Sequence, residues 1–122
     1  MKAVYRASRP HNEVEASHFV MPSLMQRLLG RDDELPVRLY RVTFGQGART
    51  YWHVHDDVQV LFGLSGTCIV VDRAGNAILL NPVDVATIEP GEEHWHGAAP
   101  GTDGEHLAIN AGTETTWLES SD

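Results

Sequence analysis

From Val37 onward the chain is a succession of short β-branched and aromatic runs, closely spaced, broken by Gly, Asn and Pro, with no long helix between them. That texture excludes helical bundles and alternating strand–helix folds, and predicts an all-β sandwich or barrel. Residues 37–44 alternate, with Arg38, Tyr40, Val42 and Phe44 on one face. Gly45 to Gly47 turns the chain into a strand over 49–55. Further strands follow at 59–64, after which Ser65-Gly66 makes a tight turn, and at 67–72. Arg73-Ala-Gly75-Asn76 reads as a hairpin loop, and strands at 77–80, 84–88, 94–98 and 106–110 complete the series. Upstream, residues 1–18 give little pattern. Residues 19–30 predict a short strand and then a helical turn or two ending at Gly30, and 31–36 a charged loop. At 122 residues the chain forms one domain, with a barrel core over about 37–112 on which the N-terminal segment and C-terminal tail pack.

The bulk properties narrow the function. A formal charge of −8 supplies no basic footprint for nucleic acid or an anionic membrane. The acidity serves solubility and, at Asp56 and Asp57, draws cations toward a metal site. No stretch approaches the roughly twenty apolar residues of a membrane span, and residues 1–11 lack the apolar run of a secretory leader. A single cysteine, Cys68, excludes an internal disulfide and fits a reducing compartment. A cytoplasmic protein acting on a small molecule is the expectation.

Two blocks carry the chemistry. The first holds His53, His55 and Gln59; the second, Glu89-Pro90-Gly91-Glu-Glu-His94-Trp-His96, holds His94. On an extended segment His53 and His55 project from one face. With the carbonyl oxygen of Gln59 and the imidazole of His94 on a partner strand, the set can hold one divalent transition metal. Three imidazoles and an amide leave the double positive charge uncompensated, which favours a divalent Lewis acid over an oxidised iron centre.

The spacing Gly47-x5-His53-x-His55-x3-Gln59-x6-Gly66 resembles the first cupin motif, with Gln in the place of the usual Glu. Asp84-x5-Pro90-Gly91-x2-His94 resembles the second, although Val83 stands where a Gly is usual and Glu89 where a Pro is. The resemblance covers about residues 37–112 and implies a cupin (double-stranded β-helix, jelly-roll) barrel with His53, His55, Gln59 and His94 as metal ligands. The ion expected is manganese foremost, with iron, nickel, zinc or cobalt as the other candidates. Gly-Ala-Arg-Thr-x-Trp-His-x-His and Gly-Glu-x-His-Trp-His-Gly-Ala-Ala-Pro are similar to the small single-domain cupins that include bacterial hydroxynitrile lyases. That similarity implies a metal-dependent lyase on a carbonyl or cyanohydrin compound, with His106 moving the substrate's proton. It also implies a homodimer. A dioxygenase and a non-catalytic cupin that binds a small molecule are the competing readings.

Period two places His96 on the face of His94, and His106, Ala108 and Asn110 together on the next strand. His96 and His106 are therefore the candidate catalytic pair, each weighed against a hydrogen-bonded barrel residue. Tyr40, Val42 and Phe44, with Leu61 or Phe62, are expected to wall the substrate pocket, with Asn110 as a hydrogen-bonding group in it. Trp52 and Trp117 read as barrel or interface packing, Cys68 as a small buried hydrophobe, Arg49 as a solvated charge, and His11 and His18 as surface residues.

Overall fold

A computed structural model describes residues 1–122. The strands are β1 (His11–Glu13), β2 (Phe19–Val20), β3 (Ser23–Leu29), β4 (Arg38–Phe44), β5 (Arg49–Thr50), β6 (His53–His55) and β7 (Gln59–Gly66). They continue as β8 (Cys68–Asp72), β9 (Ala77–Leu80), β10 (Val85–Ile88), β11 (His94–Ala98), β12 (Gly104–Asn110) and β13 (Thr115–Trp117). One sheet runs β1-β3-β4-β12-β7-β10. The other is built around β11, which pairs with β8 on one side and with β5 and β6 on the other; β2, β9 and β13 extend it. All pairings are antiparallel, and the two sheets face each other as a β-barrel.

Alternation decides what faces inward. Along β7, Gln59, Leu61 and Gly63 are buried while Val60, Phe62 and Leu64 are half-exposed. On β12, His106 and Ala108 face in and Leu107 faces out. The core gathers Phe19, Val42, Phe44, Leu61, Cys68, Val70, Leu80 and Ile88 from both sheets. At roughly 1.5–3 kcal/mol per buried large apolar side chain, this set is the main favourable term in folding. Cys68 belongs wholly to it, and burial pushes its thiol up to about 12.

One stretch departs from expectation. Ser23–Leu29 is a strand of the first sheet and not a helical turn, paired to β1 on one edge and β4 on the other. Its Leu, Met, Gln and Arg residues favour helix locally, but two neighbouring strands satisfy its backbone and tertiary pairing overrides propensity. The buried Gln26 then fastens the N-terminal segment, its Nε2 donating to the carbonyls of Arg6 and Arg9. The strand expected over 49–55 is split into β5 and β6 at Tyr51 and Trp52. Gly66 (φ +58) carries the chain from one sheet to the other. The hairpin loop after β8 is as expected, with Asp72 accepting from the backbone N–H and side chain of Asn76.

Candidate metal centre

Three short elements bring the imidazoles together. His53 and His55 open and close β6, and His94 opens β11 directly opposite His53. The turn before His94 is Glu89-Pro90-Gly91-Glu92, closed by the Glu92 N–H donating to the Glu89 carbonyl, with Gly91 at φ +78. Proline then glycine suits the two central places of such a turn, because the second needs a left-handed backbone. Gly91 also donates its N–H to the His55 carbonyl, so the two histidine-bearing segments are tied by a backbone bond.

Ring positions follow. The ring of His53 lies 5.0 Å from His55, 4.3 Å from His94 and 5.1 Å from His96, centroid to centroid. The candidate ligand nitrogens of His53, His94 and His96 lie within 4.8 Å of one another, a buried three-histidine cluster that fits a divalent metal. His55 adjoins it, 5.3 Å from His94.

The outer hydrogen bonds fix which nitrogen each ring offers. His53 Nδ1–H donates to the Tyr51 carbonyl at 2.8 Å, and His94 Nδ1–H to the Glu92 carbonyl at 2.8 Å. A carbonyl can only accept, so in the neutral rings the lone pair is on Nε2. His55 Nδ1 bonds the Thr115 hydroxyl at 3.0 Å, and its buried Nε2 has no partner. Gln59 donates its Nε2–H to Asn110 Oδ1 at 2.8 Å, which turns its Oε1 toward His94 Nε2 at 3.0 Å. Two acceptors therefore face each other inside the barrel.

Burial sets the electrostatics. It is the first cause lowering His53, His55, His94 and His96, with charge repulsion from His94 adding to it at His53 and His55; His55 falls to about 4. These rings are neutral at pH 7 and available as ligands. Asp56 accepts from the N–H groups of Thr113 and Glu114 and from the Thr113 hydroxyl, so this carboxylate anchors the loop before β13.

His96 and His106 form a second tier. His106 Nε2 and His96 Nδ1 are 2.9 Å apart, and both rings are buried against Phe44. Burial lowers His106 to about 4. Its Nδ1 is buried without a partner. An unpaired acceptor is cheaper to bury than an unpaired N–H, so His106 Nε2–H donates and His96 accepts. In that arrangement the His96 proton is on Nε2.

A cavity of about 820 Å3 opens beside the cluster, lined by His55, Tyr40, Asn110, Trp117 and Thr115 from the barrel and by the N-terminal segment from outside. Val42 and Phe44, expected on its wall, sit in the core, 2% and 0% exposed. Leu61 is a core residue too, Phe62 faces the other side of its strand, and neither His96 nor His106 reaches the cavity lining.

The model of the family described as cupin domain matches residues 40–117, close to two thirds of the chain. The chain belongs to the cupin family. An (R)-mandelonitrile lyase from Granulicella tundricola is 46% identical over 82 residues, 64% of this chain and 62% of that relative. The cupin thus spans less than two thirds of the relative's length. A cupin-like protein from Thermotoga maritima superposes with a TM-score of 0.86 at 30% identity, over 92% of this chain and 87% of the other. A polyketide cyclase from Streptomyces resistomycificus shares the fold at TM-score 0.79 and 20% identity, over 100% and 86% of the two chains.

Two residues that the sequence placed at the surface of this cupin, His18 and Arg49, are engaged instead. His18 stacks on Trp117 at 4.1 Å and lines the cavity, and Trp117 in turn lies 4.7 Å from the His53 ring. Arg49 bonds Ser121 and Asp122 and lies over Trp95, clamping the C-terminal tail. Trp52 lies under the Arg73 guanidinium. Thr115 and Thr50 had no spacing to mark them; Thr50 accepts from the His96 N–H through its hydroxyl.

Proposed function

We propose that the protein is a metal-dependent lyase acting on a small carbonyl or cyanohydrin compound, with His53, His55, Gln59 and His94 holding one divalent transition ion. The observation that carries the ligand set is the 3.0 Å approach of Gln59 Oε1 to His94 Nε2, two acceptors with no proton between them. Reversing the Gln59 and Asn110 amides would turn the contact into an ordinary N–H···N bond, and the chain holds the opposite orientation. A cation held by both would satisfy the two lone pairs at once and remove their mutual repulsion. The unpartnered Nε2 of His55 fits the same set. His96 does not, because its accepting nitrogen is taken by His106.

The ion, once bound, acts as a Lewis acid that polarises a coordinated carbonyl or lowers the pKa of a coordinated hydroxyl. The chain's own groups do the rest. Tyr40, Trp117 and Asn110 line the space that receives the organic part of the substrate. We assign the mobile proton to the His96–His106 pair, which would meet the substrate at the histidine cluster and not across the cavity: the His96 ring stands 5.1 Å from His53, and its Nδ1 is bonded to His106. In cyanohydrin cleavage the carbon–cyanide bond breaks, the hydroxyl oxygen becomes the carbonyl, and the hydroxyl proton leaves with cyanide. The 46% identity to a mandelonitrile lyase supports this reaction class over oxygen chemistry.

The test is mandelonitrile cleavage with and without a chelator, in air and under argon. Cleavage that a chelator abolishes and argon leaves unchanged is expected. Oxygen-dependent turnover would point to a dioxygenase, and a metal-bearing protein inert in every arm would be a binding cupin. His53→Ala should release the metal and lower Tm, since an ion bound only by the folded state stabilises it by mass action; full occupancy in that variant would refute the ligand assignment.

A further inference from the structure

Five of the eight arginines are committed to carboxylates: Arg9 to Asp33, Arg31 to Glu114, Arg41 to Glu105, Arg49 to Asp122 and Arg73 to Glu93 and Glu119. Of the remaining three, Arg27 and Arg38 both line the cavity beside the histidine cluster. In a chain with seventeen acidic residues, two arginines facing one cavity without an ion pair are conspicuous. Arg38 donates one Nη1–H to the Gly112 carbonyl at 3.1 Å, while its Nε is buried with no partner. A guanidinium has five N–H donors in a fixed fork, and a buried one left without an acceptor is costly.

Register ties these residues to the metal centre. Arg38, Asn110 and Gln59 are directly opposite one another across β4, β12 and β7, and opposed residues in antiparallel strands share a face. At about 4.8 Å per strand, the backbones of Arg38 and Gln59 are ~10 Å apart. Tyr40 is two residues along β4 on the same face, and Arg27 is opposite Tyr40 on β3. A molecule with one end among the imidazoles would run past the Tyr40 ring and bring its other end to the two guanidiniums. The lining also carries six carboxylates, so the case rests on where Arg38 sits, with Asn110 and Tyr40 as its neighbours on the inward face, and not on a net positive cavity. Asp33 and Glu114 are paired with Arg9 and Arg31, Glu15 with His18, and Asp56 is held by backbone N–H groups, while Glu13 and Asp32 are in no ion pair.

We propose that the cavity takes a carbonyl or hydroxyl compound carrying a carboxylate at the end remote from the metal, with Arg38 as its principal partner and Arg27 as the second. This deepens the lyase reading and rests on it only for the end of the substrate that meets the metal. With Nε buried and one Nη1–H on Gly112, the remaining Nη donors of Arg38 are the ones a carboxylate would meet.

The experiment is isothermal titration of the metal-loaded and metal-stripped protein with 4-(hydroxymethyl)benzoate and its neutral isostere, 4-(hydroxymethyl)benzamide. A charge-assisted bond to arginine predicts about tenfold or greater preference for the benzoate, weakening as salt is raised and persisting without metal. Arg38→Gln should abolish most of that preference, lowering benzoate affinity far more than benzamide affinity; Arg27→Gln should have a smaller effect of the same sign. Equal binding of the two probes by the parent protein, or a preference untouched by both substitutions, overturns the proposal. If Arg38→Gln does not fold, Arg27→Gln and the salt series on the parent decide, and a preference insensitive to both overturns it. Binding is read without cyanide release, so a protein that prefers benzoate but cleaves no cyanohydrin refutes the lyase reading alone. Cleavage of mandelonitrile without any carboxylate preference refutes this inference alone.

Discussion

Asn110 decides which end of the Gln59 amide faces the imidazoles. Its Oδ1 accepts the Gln59 Nε2–H, and only that choice aims the Gln59 carbonyl oxygen at His94. Removing the acceptor frees the amide to rotate and to offer an N–H, which no cation tolerates. On the ligand set proposed above, Asn110 is a partner that orients a ligand, and such partners are typically worth 10–100-fold in metal affinity. Asn110→Leu should therefore weaken metal binding by about that factor in a chelator competition while Tm of the stripped protein changes little, and Asn110→Asp, which keeps an acceptor, should retain most of the affinity. Equal affinity in Asn110→Leu would remove the residue from this role. At this scale the sequence was informative about side chains and silent about backbone. Period two put His53 with His55 and His106 with Asn110, because each strand displays its residues without help from the rest of the fold. The groups that select the tautomers of His53 and His94 are carbonyls of Tyr51 and Glu92, which have no residue-specific signature. His18 was invisible for another reason: it reaches the site by stacking on Trp117, almost a hundred positions away in the chain.

The elements that were legible are those whose own residues dictate the outcome, and Val83 shows a case where local chemistry yields. Its place before Asp84 is one where the second cupin motif usually has Gly, and the backbone there is left-handed at φ +73. Hydrogen bonds hold it so, with the Val83 N–H donating to the Gly63 carbonyl and the Gly63 N–H to the Asp84 carbonyl. A left-handed conformation costs an L-residue about 1–2 kcal/mol, and a β-branched one no less. The side chain is 70% exposed, so its loss removes little packing. Val83→Gly should stabilise the protein by up to about 1 kcal/mol once glycine's greater freedom in the unfolded chain is set against the relief. For a chain of this size Tm should rise by about 3 °C, read by calorimetry; a fall would show that the turn carries no strain. By contrast, the residues of β3 favour helix locally and form a strand because β1 and β4 recruit them. The short β13 went unseen because three residues, Thr115–Trp117, carry no period of their own and form a strand only by pairing with β6.

For the molecule as a whole, the barrel encloses five imidazoles that burial holds neutral, and this makes the fold acid-sensitive in a defined window. His55 and His106 are lowered from an ordinary 6.5 to about 4, and His53, His94 and His96 are lowered as well. A group that binds a proton more weakly when folded favours the unfolded state as pH falls. Stability is therefore full above about pH 6.5, where neither state is protonated, and declines as pH falls, with His55 and His106 themselves titrating in the folded state near pH 4. For His106 alone the shift corresponds to roughly 3 kcal/mol across that window. Asp33, Asp56, Asp72 and Glu119 are lowered carboxylates, each held down first by hydrogen bonds. They act in the same direction but later, because their contribution is present above their ordinary values near 4 and fades as pH drops through the folded ones. Metal loading adds to the earlier step, since protons compete for the same nitrogens. Urea unfolding of the chelator-treated protein should thus show a constant midpoint from pH 8 to about 7 and a steep fall between about 6.5 and 4. His106→Phe, which fills the place beside Phe44 with a ring that cannot titrate, should flatten part of that fall whatever its effect at pH 8. A midpoint that stays constant to pH 4.5 in the parent protein would mean that the imidazoles are hydrated and the barrel interior is not the dry enclosure on which the neutral ligand set depends.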